Sequence, residues 1–160
     1  MKDDFMEELG YLALATRLKR ISDAMVHSGR QMYKSLGLDI EPNWYLIFKL
    51  LDRHGTLSVT EIAGKLHFSH PSVITLIKKM KGNGYLESFT DKQDSRKQQV
   101  QLSAKAKQNL PQLEKIWEAG TLGVSRLFDP KDDFLGQLEK IERQLNEKDF
   151  RERTLNELTP

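Results

Sequence analysis

Apolar residues from Phe5 to Leu36 recur as Leu14, Leu18, Ile21, Met25, Met32 and Leu36, at spacings of four, three, four, seven and four. That period predicts one long helix with a single apolar stripe. At 1.5 Å per residue it would reach about 48 Å, more than a chain of this size needs for its own core. The stripe is therefore expected to face a second copy, with Gly37 as the helix stop. A second helix is predicted after Glu41-Pro42, carrying Trp44, Ile47, Phe48 and Leu51 inward and ending at Gly55. Ser58-Val59-Thr60-Glu61 is a capping-box pattern and opens a short helix with Ile62, Ala63 and Leu66 inside. After a tight turn at His67-Phe68-Ser69, a further helix is expected from His70-Pro71 to Lys81. Val73, Leu76, Ile77 and Met80 form its apolar side. Gly82-Asn83-Gly84 ends it.

Residues 85–90 and 97–102 read as two strands around a polar tip, Asp91 to Arg96, and on the return strand Gln98, Val100 and Leu102 alternate with Lys97, Gln99 and Gln101 with period two. Ser103 is placed to cap a long helix to about Leu127, bent at Pro111. A last helix is expected from Asp129-Pro130, with Phe134, Leu138, Ile141 and Leu145 as its stripe. The final ten residues are polar and expected to fray. The predicted architecture is mainly α with a small β-hairpin wing: a winged helix-turn-helix with N- and C-terminal dimerisation helices. Residues 1–36 form the N-terminal dimerisation helix and 37–102 the DNA-binding region. Residues 103–150 form the C-terminal dimerisation helices and 151–160 the frayed tail.

Charge sharpens this picture. The 160 residues carry a net charge of +2. The excess sits in residues 56–102, which hold seven basic and four acidic side chains. Residues 66–81 contain three lysines, two histidines and no acid. A basic patch in a nearly neutral chain points to one anionic partner surface. Cysteine is absent, which removes disulfides, thiol catalysis and cysteine-based redox sensing. No apolar run is long enough for a membrane span, and the acidic start lacks a secretion-signal pattern, so a cytoplasmic protein is expected. No Gly-rich phosphate loop, paired-His metal motif or nucleophile elbow occurs, and neither an enzyme nor a cofactor is expected. His67 and His70, without cysteine or clustered carboxylates, do not make a metal site.

Helix, tight turn, helix, basic hairpin is the layout of a winged helix-turn-helix. Such a helix enters the major groove because the groove matches a helix in width. Ser72, Thr75 and Lys79 are spaced to reach base edges from the outer side of the helix 70–81. Lys78 is placed for phosphate, and Ser69 and His70 bring the helix start to another phosphate. In the hairpin, Arg96 is the candidate for the narrow minor groove, with Lys92 and Lys97 near phosphates and Asp94 orienting the guanidinium. The partner predicted is double-stranded DNA, bound by a homodimer. A winged helix used only for protein–protein contact is the alternative, and a salt-dependent DNA shift separates the two. Tyr11, Arg17, Trp44 and Tyr45 would suit a small aromatic effector if the fold brings them together.

Leu57-Ser58-Val59-Thr60-Glu61-Ile62-Ala63, Ser69-His70-Pro71-Ser72-Val73 and Gly84-Tyr85-Leu86-Glu87-Ser88 together resemble the core of MarR-family regulators. Asp94-Ser95-Arg96, followed by Val100-Gln101-Leu102-Ser103, is similar to that family's Asp-x-Arg wing. Residues 9–15 and 37–44 further resemble the regulator half of MarR–acetyltransferase fusions, whose catalytic domain has no counterpart here. Ala106 stands where many members have Gly, and Ser95 where Arg is frequent, which removes one phosphate contact. The resemblance implies an all-helical dimer with small wings, an imperfect palindromic operator, and a common response to small aromatic or phenolic ligands.

Overall fold

In the computed structural model, residues 4–90 and 98–158 are described. The chain divides into two compact units, 1–110 and 111–160.

The first unit opens with α1 (Phe5–Glu8), capped by the Asp4 carboxylate accepting from the Met6 N–H at 3.1 Å. A 3₁₀ turn follows at Gly10–Ala13, and α2 runs from Leu14 to Ser35. The single helix expected from Phe5 is thus broken. Gly10 takes φ +54°, a left-handed value that glycine adopts without strain and that interrupts the helical ladder. The far end is as expected. Gly37 stands at φ +70°, the Gly37 N–H donates to Lys34 O, and the Leu38 N–H to Tyr33 O, a Schellman closure. The stripe lies outward: Leu14, Leu18, Ile21, Met25, Met32 and Leu36 are all exposed. Tyr33 is the buried residue of α2.

A 3₁₀ turn at Pro42–Trp44 leads into α3 (Tyr45–His54), which buries Ile47, Phe48 and Leu51. Gly29 lets α2 approach that turn closely, since a Cβ there would lie 3.0 Å from Pro42 Cγ. Next come β1 (Thr56–Ser58), α4 (Val59–Leu66), α5 (His70–Gly82), β2 (Leu86–Thr90), β3 (Gln98–Leu102) and the start of α6 (Ala104–Ser125). The expected hairpin is a three-stranded antiparallel sheet in the order β1-β3-β2. Strand β1 is an addition to the sequence reading: three residues are too few to show alternation. It pairs Leu57 with Val100, while Ser88 pairs with Val100 from the other side. Leu57, Val100, Leu86 and Leu102 turn into the core, where Trp44, Phe48, Ile62, Val73, Met80 and Tyr85 meet them. Each such apolar side chain contributes about 1.5–3 kcal/mol through its removal from water. This core fixes the inner face of α5.

In the second unit, α7 spans Phe134–Glu147 and α8 Phe150–Leu158. Two expectations are corrected here. Asp129-Pro130 forms a turn, with the Asp132 N–H donating to Asp129 O at 2.8 Å. The helix begins four residues later, where the Asp133 side chain accepts from the Gly136 N–H at 3.1 Å. The tail expected to fray is helical through Leu158. The Asp149 carboxylate caps it by accepting from the Glu152 N–H at 2.8 Å, and the Arg153 Nε donates back to Lys148 O. Phe134, Ile141 and Leu145 of the predicted stripe are exposed, as are Phe150, Leu155 and Leu158 of α8. No helix among the described residues is long and apolar enough to cross a membrane.

Candidate nucleic-acid interface

The presentation of α5 begins with the turn before it. Helix α4 has its capping box: the Ser58 Oγ accepts from the Glu61 N–H at 3.2 Å, and a Glu61 carboxylate oxygen accepts from the Ser58 N–H at 2.8 Å. Its far end closes through His67 at φ +52°, the one non-glycine residue with positive φ among those described. The Phe68 N–H then reaches Ala63 O at 3.1 Å. This left-handed residue redirects the chain into α5 within three residues. Ser69 caps α5 in an extended conformation, accepting from the Ser72 N–H, and Pro71 occupies the first turn, where its missing N–H costs nothing. His70 lies 3.3 Å from the Thr60 hydroxyl, joining α5 to α4.

The C-terminal end of α5 is held as firmly. Gly84 stands at φ +77°, with the Gly84 N–H donating to Lys81 O and the Tyr85 N–H to Met80 O, both at 2.9 Å. The Ser103 hydroxyl donates to Gly84 O at 2.6 Å and accepts from the Ala106 N–H at 3.1 Å, so one side chain fixes this turn and caps α6. Behind it the buried Tyr85 ring meets Trp44 and Phe48 edge-on, with centroids 5.8 and 5.6 Å away. Its hydroxyl donates to the Asp39 carboxylate. Lys105 Nζ lies 3.3 Å from Asp39, 2.8 Å from Asn83 O and 4.1 Å from the Tyr85 ring centroid. Burial alone raises the Asp39 carboxyl pKa, but the hydrogen bonds from Tyr85 and Lys105 outweigh it and hold the group below its ordinary value. Burial, and then the bond to Asp39, pushes the Tyr85 phenol well above its own.

Between these fixed ends the 13 residues of α5 span about 20 Å. Val73, Leu76, Ile77 and Met80 are buried; Ser69, His70, Ser72, Thr75, Lys78, Lys79 and Lys81 are exposed, and the helix carries no acid. The Thr75 hydroxyl donates to Pro71 O at 2.9 Å, leaving its oxygen able to accept. Ser69 and Ser72 hydroxyls are 2.7 Å apart. The structure therefore brings the six predicted residues of this region onto one continuous outer surface. Strands β2 and β3 are joined at Thr90 and Gln98, where Gln98 Nε2 donates to the Thr90 hydroxyl at 3.1 Å. Lys92, Asp94, Arg96 and Lys97 lie outside the described residues.

One flank of α5 borders a cavity of about 440 Å³, lined by Arg30, Glu41, Asn43 and Trp44 on one side and by Ser72, Thr75 and Lys79 on the other. Arg30 and Glu41 are paired at 2.7 Å. Trp44 is 1 % exposed, and its indole Nε1 has no hydrogen-bond acceptor among the described residues. Of the four residues suggested for an effector, Trp44 alone lines this cavity. Tyr11 is 93 % exposed, Tyr45 is exposed and Arg17 is half-buried. Arg30, Glu41 and Asn43 escaped the sequence reading because only the close approach of α2 to the Pro42 turn assembles them. Ile74 escaped it too. It is an apolar residue off the apolar stripe, and its position between Val73 and Thr75 was the available signal.

Residues 40–97 match the MarR family. That MarR-matched segment holds α3, β1, α4, α5 and β2, and covers about a third of the chain. No curated protein matches the chain by sequence. Among solved structures, the S. aureus MepR–DNA complex superposes with a TM-score of 0.70 at 16 % identity, covering 85 % of this chain and 99 % of that one. A mutant of E. coli MarR complexed with operator DNA gives 0.68 at 12 %, covering 89 % and 99 %. Reduced AbfR bound to DNA gives 0.66 at 20 %, covering 88 % and 96 %. At these identities the likeness establishes the winged-helix fold, and it extends beyond the MarR-matched segment to most of the chain.

Proposed function

We propose that this chain is a MarR-type transcription regulator that binds double-stranded DNA as a homodimer on a pseudo-palindromic operator. The observation that carries this is α5: an acid-free helix with an apolar inner face locked at both ends and an outer face of Ser72, Thr75, Lys78 and Lys79. Short polar groups at that spacing suit base edges, and lysines suit phosphates. The match of residues 40–97 and the three DNA-bound structures support the same reading. Arg96, Lys92 and Lys97 extend the interface to the minor groove and flanking phosphates, with Asp94 orienting Arg96. Residues 9–15 and 37–44 keep the likeness to the regulator half of acetyltransferase fusions.

The exposed stripe of α2 supports the dimer. Six large apolar side chains in one row are costly in water, and a second copy of the same row removes them from it. The exposed rows of α7 and α8 likewise suit contact with a second copy. We take the protein to be a ligand-responsive repressor. A small aromatic acid held in the cavity between the Pro42 turn and α5 would withdraw Ser72, Thr75 and Lys79 from DNA. A duplex selected by the protein from a random-sequence pool tests the function. Tight binding that falls steeply with salt, and loses about three orders of magnitude or more on a scrambled duplex, is expected. Equal binding to both duplexes, or none, would refute it.

A further inference from the structure

The outer face of α5 carries one residue out of keeping with its surroundings. Ile74 is 51 % exposed, directly before Thr75 and one turn before Lys78, while the four apolar residues that anchor the helix are buried. It lines a shallow recess between α5 and the sheet, with Val59, Ile77 and Val100 at its back and Lys78, Lys81, Ser88 and Gln98 around it. Ile74 is not among the buried residues of α5, and a β-branched residue is a poorer helix former than the alanine that could replace it. Half of its surface therefore stays in water unless something apolar covers it.

With the DNA-binding reading above as its basis, the chemistry of that cover is narrow. Lys78 and Lys81 suit phosphates and flank Ile74, and Thr75, a candidate for base edges, directly follows it, so the surface facing Ile74 is a wall of the major groove. The 5-methyl of thymine is the one methyl group that the bases present in that groove. We infer that Ile74 packs against a thymine methyl in each half-site and sets the preference for thymine at that base pair. Ser72 and Lys79 read donors and acceptors, which uracil presents as thymine does; Thr75 has a methyl of its own, so it is the loss of the effect in Ile74→Ala that assigns the contact to Ile74.

The test uses the full chain and a duplex selected from a random-sequence pool. Each thymine of one half-site is replaced in turn by deoxyuridine, which removes the methyl and nothing else. Binding is measured by fluorescence anisotropy for the parent, Ile74→Ala and Ile74→Val. One replacement should weaken the parent about fourfold, the worth of one buried methyl. Ile74→Ala should be indifferent to that same replacement, with Ile74→Val between the two. Ile74→Ala should also melt within a degree or two of the parent, because the residue is half-exposed. A parent indifferent to every replacement, a selected half-site without thymine, or an Ile74→Ala variant that keeps the full loss would each overturn the inference. A parent that binds no selected duplex would instead sink the DNA-binding reading, and the two failures are distinguished by that control.

Discussion

Tyr85→Phe removes one hydroxyl from the cluster that holds the C-terminal end of α5 to the loop at Asp39 and to α6. The ring contacts with Trp44 and Phe48 are kept, so no cavity is made. What is lost is a hydrogen bond to an ionised carboxylate, worth about 1.5–3 kcal/mol net. The Asp39 side chain is 56 % exposed, and water replaces part of the bond, which brings the expected loss to about 1.5 kcal/mol. For a chain of this length that is a fall of about 3–6 °C in melting temperature. The pH dependence follows from the two shifts. The Asp39 carboxyl is lowered, so its contribution is present above the ordinary value of 3.8 and is lost as pH falls through the lower folded value. The Tyr85 phenol is raised, so its contribution is present below the ordinary value of 10.0 and is lost as pH rises beyond it. The difference between parent and variant, from urea denaturation, should be flat between about pH 5 and 9 and narrow at both extremes. A difference below about 0.3 kcal/mol, or one that does not narrow in acid, would show that the cluster does not hold the helix end.

Two glycines two residues apart should respond oppositely to alanine. Gly82 is helical with open space at its Cβ position, so Gly82→Ala should stabilise by about 0.5–1 kcal/mol; Gly84, at φ +77°, should lose about 1 kcal/mol or more as alanine, both read by thermal melts. Ile21→Glu in the exposed row of α2 should shift the mass in light scattering from two chains to one at micromolar concentration, since it puts a charge in the centre of the proposed interface. A parent that is itself monomeric there would refute the dimer. With no cysteine present, DNA binding should survive mild peroxide unchanged; thiol-reversible release would contradict this.

Much of the DNA-binding region was legible because its signals are local. The Ser58–Glu61 box, the Ser69 cap, the four-residue inner stripe of α5 and the Gly84 stop each lie within a turn or two of chain, and the structure places them where the sequence did. The outward stripe of α2 was legible for the same reason. Features that depend on distant partners were not. Strand β1 exists only because Leu57 finds Val100, and the Asp39–Tyr85–Lys105 cluster joins residues 46 and 66 positions apart. Helix starts were misplaced where two capping residues competed. Asp129 and Asp133 are both good caps, but Pro130 follows the first, and only the second opens onto an uninterrupted apolar row. The break at Gly10 was signalled by the glycine itself and overridden by the seven-residue rhythm around it.

The central claim, that the outer face of α5 is a DNA-binding surface, is tested most directly by the salt dependence of binding in Lys78→Ala. Lys78 is exposed on α5 and placed for a phosphate, so its loss should release one counterion fewer. The slope of log affinity against log salt should become shallower by about 0.9 per half-site, while the ratio of affinities for selected and scrambled duplexes stays within about twofold. An unchanged slope in Lys78→Ala, together with unchanged base preference in Thr75→Ala and Lys79→Ala, would contradict the account.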